Sequence, residues 1–121
     1  MDIEYLRDYC LSKSGTTEDF PFDKNTLVFK VVGKMFALAP LDQWEKGLAS
    51  INLKANPEYA LELRAAYESI QPGFHMNKKH WNTLDIYKGE LSPKLIMALI
   101  DHSYDMVVKG MTKKKRQELN L

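Results

Sequence analysis

The stretch LVFKVVGKMFALA, residues 27–39, constrains the fold more than any other part of the sequence. Apolar residues run on both sides of Gly33-Lys34, a pattern typical of two antiparallel strands joined by a two-residue turn. A type II′ turn needs glycine at its first central position, so Gly33 and Lys34 are the predicted turn residues. The expected cross-strand pairs are Val32–Met35, Val31–Phe36, Lys30–Ala37 and Phe29–Leu38. The core face expected from that register carries Leu27, Phe29, Val31, Phe36 and Leu38.

A second alternating stretch lies between Leu48 and Lys54. Ala49, Ile51 and Leu53 fall on one side of this predicted strand, and Ser50, Asn52 and Lys54 fall on the other. Such half-polar alternation is typical of an antiparallel sheet with one open face. Lys30 and Lys54 are expected on that open face.

Three helices and one further strand complete the predicted order. A helix is expected over residues 2–14, another from a cap at Asn56 to about Ser69, and the longest from a cap at Ser92 to about Lys109. A strand is expected over residues 82–87, and TTEDFPFDKN is expected to be irregular. The predicted fold is α+β, an antiparallel sheet packed against helices in the order α-βββ-α-β-α, with residues 1–121 as a single domain.

Composition narrows the class of protein. No apolar run approaches the roughly 20 residues of a membrane span, and the N-terminus MDIEYLRDY carries acids where a secretory signal carries bases. We therefore expect a cytoplasmic monomer without membrane contact. Cys10 is the only cysteine, so no internal disulfide can form, and we expect it to be a small core residue. The net charge is +1, and the surplus of bases lies in residues 61–121.

The sequence offers little that indicates catalysis. His75 and His80 are five residues apart, so only a loop could bring both to one metal ion. His102 borders the apolar stripe of the longest helix and is expected to be a hydrogen-bonded histidine at the core edge. There is no GxSxG motif and no Gly-rich phosphate loop before a helix. We expect no enzyme activity, no metal and no cofactor.

Nucleic acid is the better candidate ligand. The segment NKKHWN, residues 77–82, offers lysines for phosphates, asparagines for hydrogen bonds and a tryptophan for stacking. The alternative is that Trp81 belongs to the core and that Asn77 and Asn82 cap a turn. The predicted contact residues are Lys30, Lys34, Lys54, Asn77, Lys78, Lys79, His80, Trp81 and Asn82.

Several ordered motifs together resemble the MmcQ/YjbR family. They are PF at 21–22, VFKV at 28–31, GKMFA at 33–37, INLK followed by PEYALELR, PGFHMNKKHWNTL at 72–84 and SY at 103–104. The resemblance runs from Ile3 to Lys115. Phe74 stands where tyrosine is common in the family, and Asp23 stands where glycine often follows PF.

The resemblance implies a bacterial cytosolic protein with a fold similar to frataxin and CyaY. It also implies DNA binding through a "double wing" of strands, and contacts made by lysines would make that binding weak and largely non-specific. The alternative is a protein-protein adaptor or regulatory domain without catalytic activity, followed by an undetected enzyme or small-ligand binder. The fold brings a further rival, iron binding through an acidic first helix. That reading is disfavoured because Arg7 and Lys13 interrupt the acids there.

Overall fold

Six antiparallel strands form one sheet in the computed structural model, which describes residues 1–121. The strands are β1 (Thr16–Asp19), β2 (Thr26–Val31), β3 (Lys34–Pro40), β4 (Ile51–Lys54), β5 (Ile70–Pro72) and β6 (Trp81–Leu84). They lie in the order β1-β2-β3-β4-β6-β5. The helices are α1 (Ile3–Leu11), α2 (Leu41–Glu45), α3 (Pro57–Ala66), α4 (Pro93–Lys109) and α5 (Lys113–Glu118), with a 3-10 turn at Ile86–Lys88. The predicted α+β class, an antiparallel sheet packed against helices, is confirmed.

Side-chain caps begin the helices where the sequence indicates. The Ser92 hydroxyl accepts a hydrogen bond from the Leu95 N–H, and the helix then runs from Pro93 to Lys109 as predicted. Asn56 caps α3 by accepting from the N–H groups of Glu58 and Tyr59. None of the helices combines the length and the apolar character that crossing a bilayer requires.

One face of the sheet carries the main core. Alternate residues of β2, Leu27, Phe29 and Val31, pack with residues of α1, α3 and α4 in a single buried cluster. The predicted buried stripe of α4 is confirmed, since each of its residues is buried: Ile96, Leu99, Ile100, Ser103 and Val107. The opposite face carries no helix against its centre, and we call it the helix-free face.

The β2–β3 hairpin differs from its predicted register. Val31 pairs with Lys34, so the turn residues are Val32 and Gly33, with φ of +51° and +76°, as a type I′ turn requires. A bulge at Phe36 then shifts the pairing, so that Phe29 faces Ala37. The prediction that Leu38 lies on the same face as Phe29 and Ala37 on the other is wrong: the two exchange faces, and both are buried. Small alanines fit beneath the helices, and the larger Leu38 packs on the helix-free face.

Other boundaries also differ from the prediction. Residues 16–19, expected to be irregular, form β1, and Ile70–Pro72 forms an unpredicted edge strand. The helix expected to reach Ser69 ends at Ala66, and the strand expected over residues 82–87 ends at Leu84. Both new strands lie at sheet edges and are three or four residues long, too short for alternation to be recognised.

Cys10 and His102 could take part in chemistry, but both have structural roles in the fold. Cys10 is fully buried, and burial raises the pKa of its thiol to about 12, which confirms its prediction as a core residue. His102 accepts a hydrogen bond from the Asn56 N–H at its Nε2 (3.2 Å) and lies edge-on to Tyr59. Burial lowers the pKa of His102, and the expected core-edge role is confirmed.

Ser103 of α4 joins β3 to β4 one residue beyond the last paired residues of their ladder, Ala37 and Leu53. Its hydroxyl donates to the Phe36 carbonyl (2.5 Å) and accepts from the Lys54 N–H (2.8 Å). Ser103 is fully buried. Water therefore could not replace its two hydrogen bonds without a change in packing. One hydroxyl therefore satisfies two strand groups that would otherwise be orphaned.

We expect Ser103→Ala to lower the free energy of unfolding by about 1–3 kcal/mol, because it leaves the Phe36 carbonyl and the Lys54 N–H without partners. The measurement is urea unfolding followed by circular dichroism. The matched control is Ser14→Ala, an exposed serine, which should change stability by less than about 0.5 kcal/mol. Equal stability of Ser103→Ala and the wild type would contradict the bridging role.

Candidate functional site

The helix-free face is organised in rows that run across the strands. In one row Lys30 pairs with Met35, and Lys54 pairs with Trp81. The next row, two residues further along each strand, joins Leu38, Asn52, Thr83 and Gln71. Continuing the same register by two more residues reaches Thr26, Pro40, Ser50 and Asp85. The two ends of the strands therefore present different chemistry on one face.

The first row and its adjoining turns hold most of the predicted contact lysines. Lys30 and Lys54 lie on β2 and β4, with backbones roughly 10 Å apart because neighbouring strands are about 4.8 Å apart. Lys34 follows the hairpin turn and is exposed, and Lys78 and Lys79 lie in the turn before β6. We call these five lysines the basic end. Lys30 also pairs with Asp19, with an Nζ–Oδ2 distance of 3.5 Å.

Backbone hydrogen bonds and the close approach of Gly73 to Trp81 hold the turn of residues 73–80. The Gly73 N–H donates to the Trp81 carbonyl (2.8 Å), and a Cβ at Gly73 would lie 2.8 Å from the Trp81 Cβ. Only glycine fits this approach. Asn77 Oδ1 accepts from the Lys79 N–H, which confirms the alternative reading of Asn77 as a turn cap. Lys78 Nζ donates to the Gly73 carbonyl (3.0 Å), and it keeps two further protons for other acceptors.

Asn82 does not contact a partner. It is 1% exposed, and its Oδ1 accepts from the Arg64 Nε (2.6 Å). The Arg64 Nη2 also donates to the Lys78 and Trp81 carbonyls, so this arginine ties α3 to the turn and to β6. The prediction of Asn82 as a contact residue is corrected: its amide satisfies Arg64 in the interior. No local pattern indicates the role of Arg64, because its partners lie 14–18 positions away along the chain.

Trp81 is also a structural residue. It is 8% exposed and packs with Val28 and Leu38 in a small cluster that Met35 and Met76 flank. The alternative that Trp81 belongs to the core is confirmed, and the prediction that it stacks on a base is not supported by this position. His80 is partly exposed, and its carbonyl accepts from the Ala55 N–H.

The other end of the helix-free face forms a cleft of about 710 Å³. Three aspartates and no lysine or arginine line it: Asp23, Asp42 and Asp85. Three exposed rings border it: Phe22, Phe74 and Tyr87, which are 64%, 70% and 46% exposed. We call this the acidic cleft. Sequence reasoning missed it because its residues come from five separate segments of the chain.

The aspartates are positioned by hydrogen bonds and keep free oxygen atoms. Backbone N–H groups of Thr26 and Asn25 donate to Asp23 and lower the pKa of its carboxyl. Asp42 accepts from the Asn25 side chain and the Gln43 N–H through Oδ1 alone. Asp85 accepts from Gln71 and pairs with Lys88 (3.5 Å), in both cases through Oδ2. The remaining oxygens of Asp42 and Asp85 have no partner in the chain.

The 73–80 turn also folds back over the acidic cleft. The Phe74 N–H donates to the Thr83 hydroxyl (3.0 Å), which holds Phe74 above the middle of the sheet. His75 has a φ of +59°, a left-handed conformation that is uncommon for a side chain other than glycine, and its ring lies 4.0 Å from that of Phe74. Four of the five residues of the cluster PGFHM, residues 72–76, line the cleft: Pro72, Phe74, His75 and Met76.

No three His, Cys, Asp or Glu side chains converge as a metal-ligand set would. The pair His75 and His80, considered in the sequence, lies in the same turn. His75 faces the acidic cleft beside Phe74, and His80 immediately precedes β6.

Truncation of Trp81 and of Phe74, two aromatic residues of the same motif, should lower the stability of the protein to very different extents. Trp81→Ala should lower the free energy of unfolding by roughly 3 kcal/mol or more, because it empties a buried site. Phe74→Ala should change it by less than about 0.5 kcal/mol, because the ring is exposed. Chemical unfolding of both variants beside the wild type measures the difference. An unchanged stability of Trp81→Ala would move that ring from the core to a contact surface.

Three comparisons agree on the relatives of this chain. The YjbR family model matches residues 11–106. The chain is 40% identical to YbdF of Escherichia coli O157:H7 over 101 residues, 83% of this chain and 79% of that protein. It is 31% identical to YjbR of Escherichia coli K12 over 119 residues, 98% of each chain. It is also similar to the crystal structure of Deinococcus radiodurans protein DR2400, with 41% identity and a TM-score of 0.90 over 99% of this chain and 88% of that one. Both sequence relatives are named only as uncharacterized proteins. The chain belongs to the YjbR family.

Proposed function

We propose that this chain is a non-catalytic DNA-binding module that holds duplex phosphates with its basic end, acting as a monomer in the bacterial cytoplasm. The observation that carries the proposal is the strand register. It brings lysines from β2, β3 and β4 to the same end of the sheet as the lysines of the 73–80 turn. The β2–β3 and β5–β6 hairpins, which carry these lysines apart from Lys54 on β4, supply the two wings that the family resemblance implies.

The lysines of the basic end differ in how freely they can reach phosphate. Lys34 and Lys79 are exposed and make no side-chain hydrogen bond or ion pair within the chain. Lys30 must exchange Asp19 for phosphate, and Lys78 can keep its bond to the Gly73 carbonyl. We therefore expect about four phosphate contacts, centred on Lys34 and Lys79.

The corrected residue set implies weak sequence preference. Trp81 and Asn82, which could have read bases, are buried. Lysine acts as a point charge and does not read base edges in the bidentate manner of arginine. The acidic cleft on the same face repels phosphate and limits the contact to one end of the sheet. The dissociation constant should be on the order of 10⁻⁴–10⁻⁶ M near physiological salt.

Two side chains that could act as nucleophiles, Cys10 and Ser103, have structural roles instead. The Cys10 thiol is buried, and its pKa is raised to about 12, far from the thiolate form that reacts. The Ser103 hydroxyl is fully buried between two strands. Each has a structural use, and neither opens to the acidic cleft.

The salt dependence of binding tests the proposal. With about four phosphates neutralised, log K should fall with log salt with a slope of roughly −3 to −4, since each contact contributes about −0.9. Lys34→Ala with Lys79→Ala should remove close to two units of that slope. Fluorescence anisotropy of a labelled duplex at several salt concentrations measures it.

The matched control is Lys46→Ala with Lys94→Ala, which removes the same charge from exposed positions outside the basic end. This pair should leave the slope within about half a unit of the wild type. Melting temperatures should stay close to the wild type in both double variants, because exposed charges contribute little to folding. Equal slopes for the two double variants, or no binding at low salt, would reject the proposal.

A further inference from the structure

We propose that the acidic cleft is a second binding site, for an aliphatic oligoamine: a small molecule with two or more ammonium groups joined by methylene spacers. This site is separate from the proposed DNA contact, because it uses the opposite end of the helix-free face. It rests on four properties of the cleft, which are its charge, an unpartnered hydroxyl, its aromatic border and its size.

The charge of the cleft selects a cation. Asp23, Asp42 and Asp85 line it without a lysine or arginine among the lining residues. They stand on two walls: the Asn25 side chain joins the segment of Asp23 to Asp42, and Asp85 follows β6 across the sheet. Carboxylates on opposite walls match a ligand that carries charge at two separated points. Lys88 offsets part of the charge of Asp85, but it pairs with Oδ2 and leaves Oδ1 without a partner.

Ser50 supplies an independent sign of a ligand. It is only 9% exposed and lines the cleft from β4's N-terminal side. The Ser50 carbonyl accepts from the Trp44 indole (2.9 Å), whereas its hydroxyl makes no hydrogen bond within the chain. This hydroxyl therefore opens into the cleft and is available to a donor or acceptor that a ligand brings. An ammonium group is such a donor.

The walls between the carboxylates suit methylene groups and cations. Leu38 and Met76 supply apolar surface inside the cleft. The exposed rings of Phe22, Phe74 and Tyr87 can cover a spacer or face an ammonium group, an arrangement that recurs in sites for organic cations. These rings gain nothing from folding in their exposed positions. Phe74 is nevertheless held in place through its N–H by Thr83.

The size of the cleft favours an organic molecule over a bare metal ion. Its volume of about 710 Å³ lies within the range of roughly 300–1,000 Å³ found for small-molecule sites. The carboxylates do not converge as a metal-ligand set would. A flexible chain with separated charges uses both the spacing of the aspartates and the apolar floor between them.

Isothermal titration of the full chain with spermidine, in the absence of DNA, tests the inference. Spermidine should saturate one site, more weakly at higher salt, and a neutral diol of similar length should not bind. Asp42→Asn with Asp85→Asn should weaken binding about five- to twenty-five-fold, since each ion pair contributes up to about fivefold. Asparagine keeps one oxygen acceptor at each position. Phe74→Ala should weaken binding about two- to fivefold.

Asp105→Asn is the matched control, because Asp105 is an exposed aspartate on α4 outside the cleft. It should bind spermidine as the wild type does. Phe74→Ala keeps the test decisive if the double variant unfolds, since this ring is exposed. The inference is overturned if spermidine gives no saturable heat, if the diol binds equally well, or if Asp105→Asn weakens binding as much as the cleft variants do.

Discussion

The structure depends on the register of β3, which the bulge at Phe36 sets against β2 and which Ser103 ties to β4 through the Phe36 carbonyl and the Lys54 N–H. A slip of one residue would move every side chain of a strand to the other face. The alanines beneath the helices would then be exchanged for Leu38 and Met35, which are too large for those positions. The bulge and this buried hydroxyl together hold the register on which the composition of the helix-free face depends.

The helix-free face combines two opposite electrostatic ends within one small sheet. Lysines gather where the hairpin turns and the 73–80 turn meet, and aspartates gather around the cleft at the other ends of the strands. The net charge of +1 conceals this separation. The cluster of Trp81, Val28 and Leu38 lies between the two ends and gives the 73–80 turn a fixed base. The same turn therefore serves both sites: Lys79 points away from the core, and Phe74 lines the cleft.

Local signals predicted part of this arrangement and could not predict the rest. Caps followed by proline placed the starts of α3 and α4, and apolar periodicity gave the buried stripe of α4. The predicted turn residues are wrong because Val32 adopts a positive φ, which β-branched residues rarely take. Arg64 and Asn82 meet across 18 positions, and the cleft collects residues from five segments, so neither leaves a local pattern in the sequence.

A residue-resolved titration can test directly whether the helix-free face is divided into a basic end that contacts DNA and an acidic cleft that does not. Proton–nitrogen correlation spectra of the labelled chain would be recorded with increasing amounts of a short DNA duplex at low salt. We expect the amide signals of the basic end to shift, at residues 30–35, 54 and 77–80. The signals of the acidic cleft, at residues 22–26, 42 and 85–87, should stay in place. Shifts centred on the acidic cleft, or spread evenly over both ends of the sheet, would contradict this division.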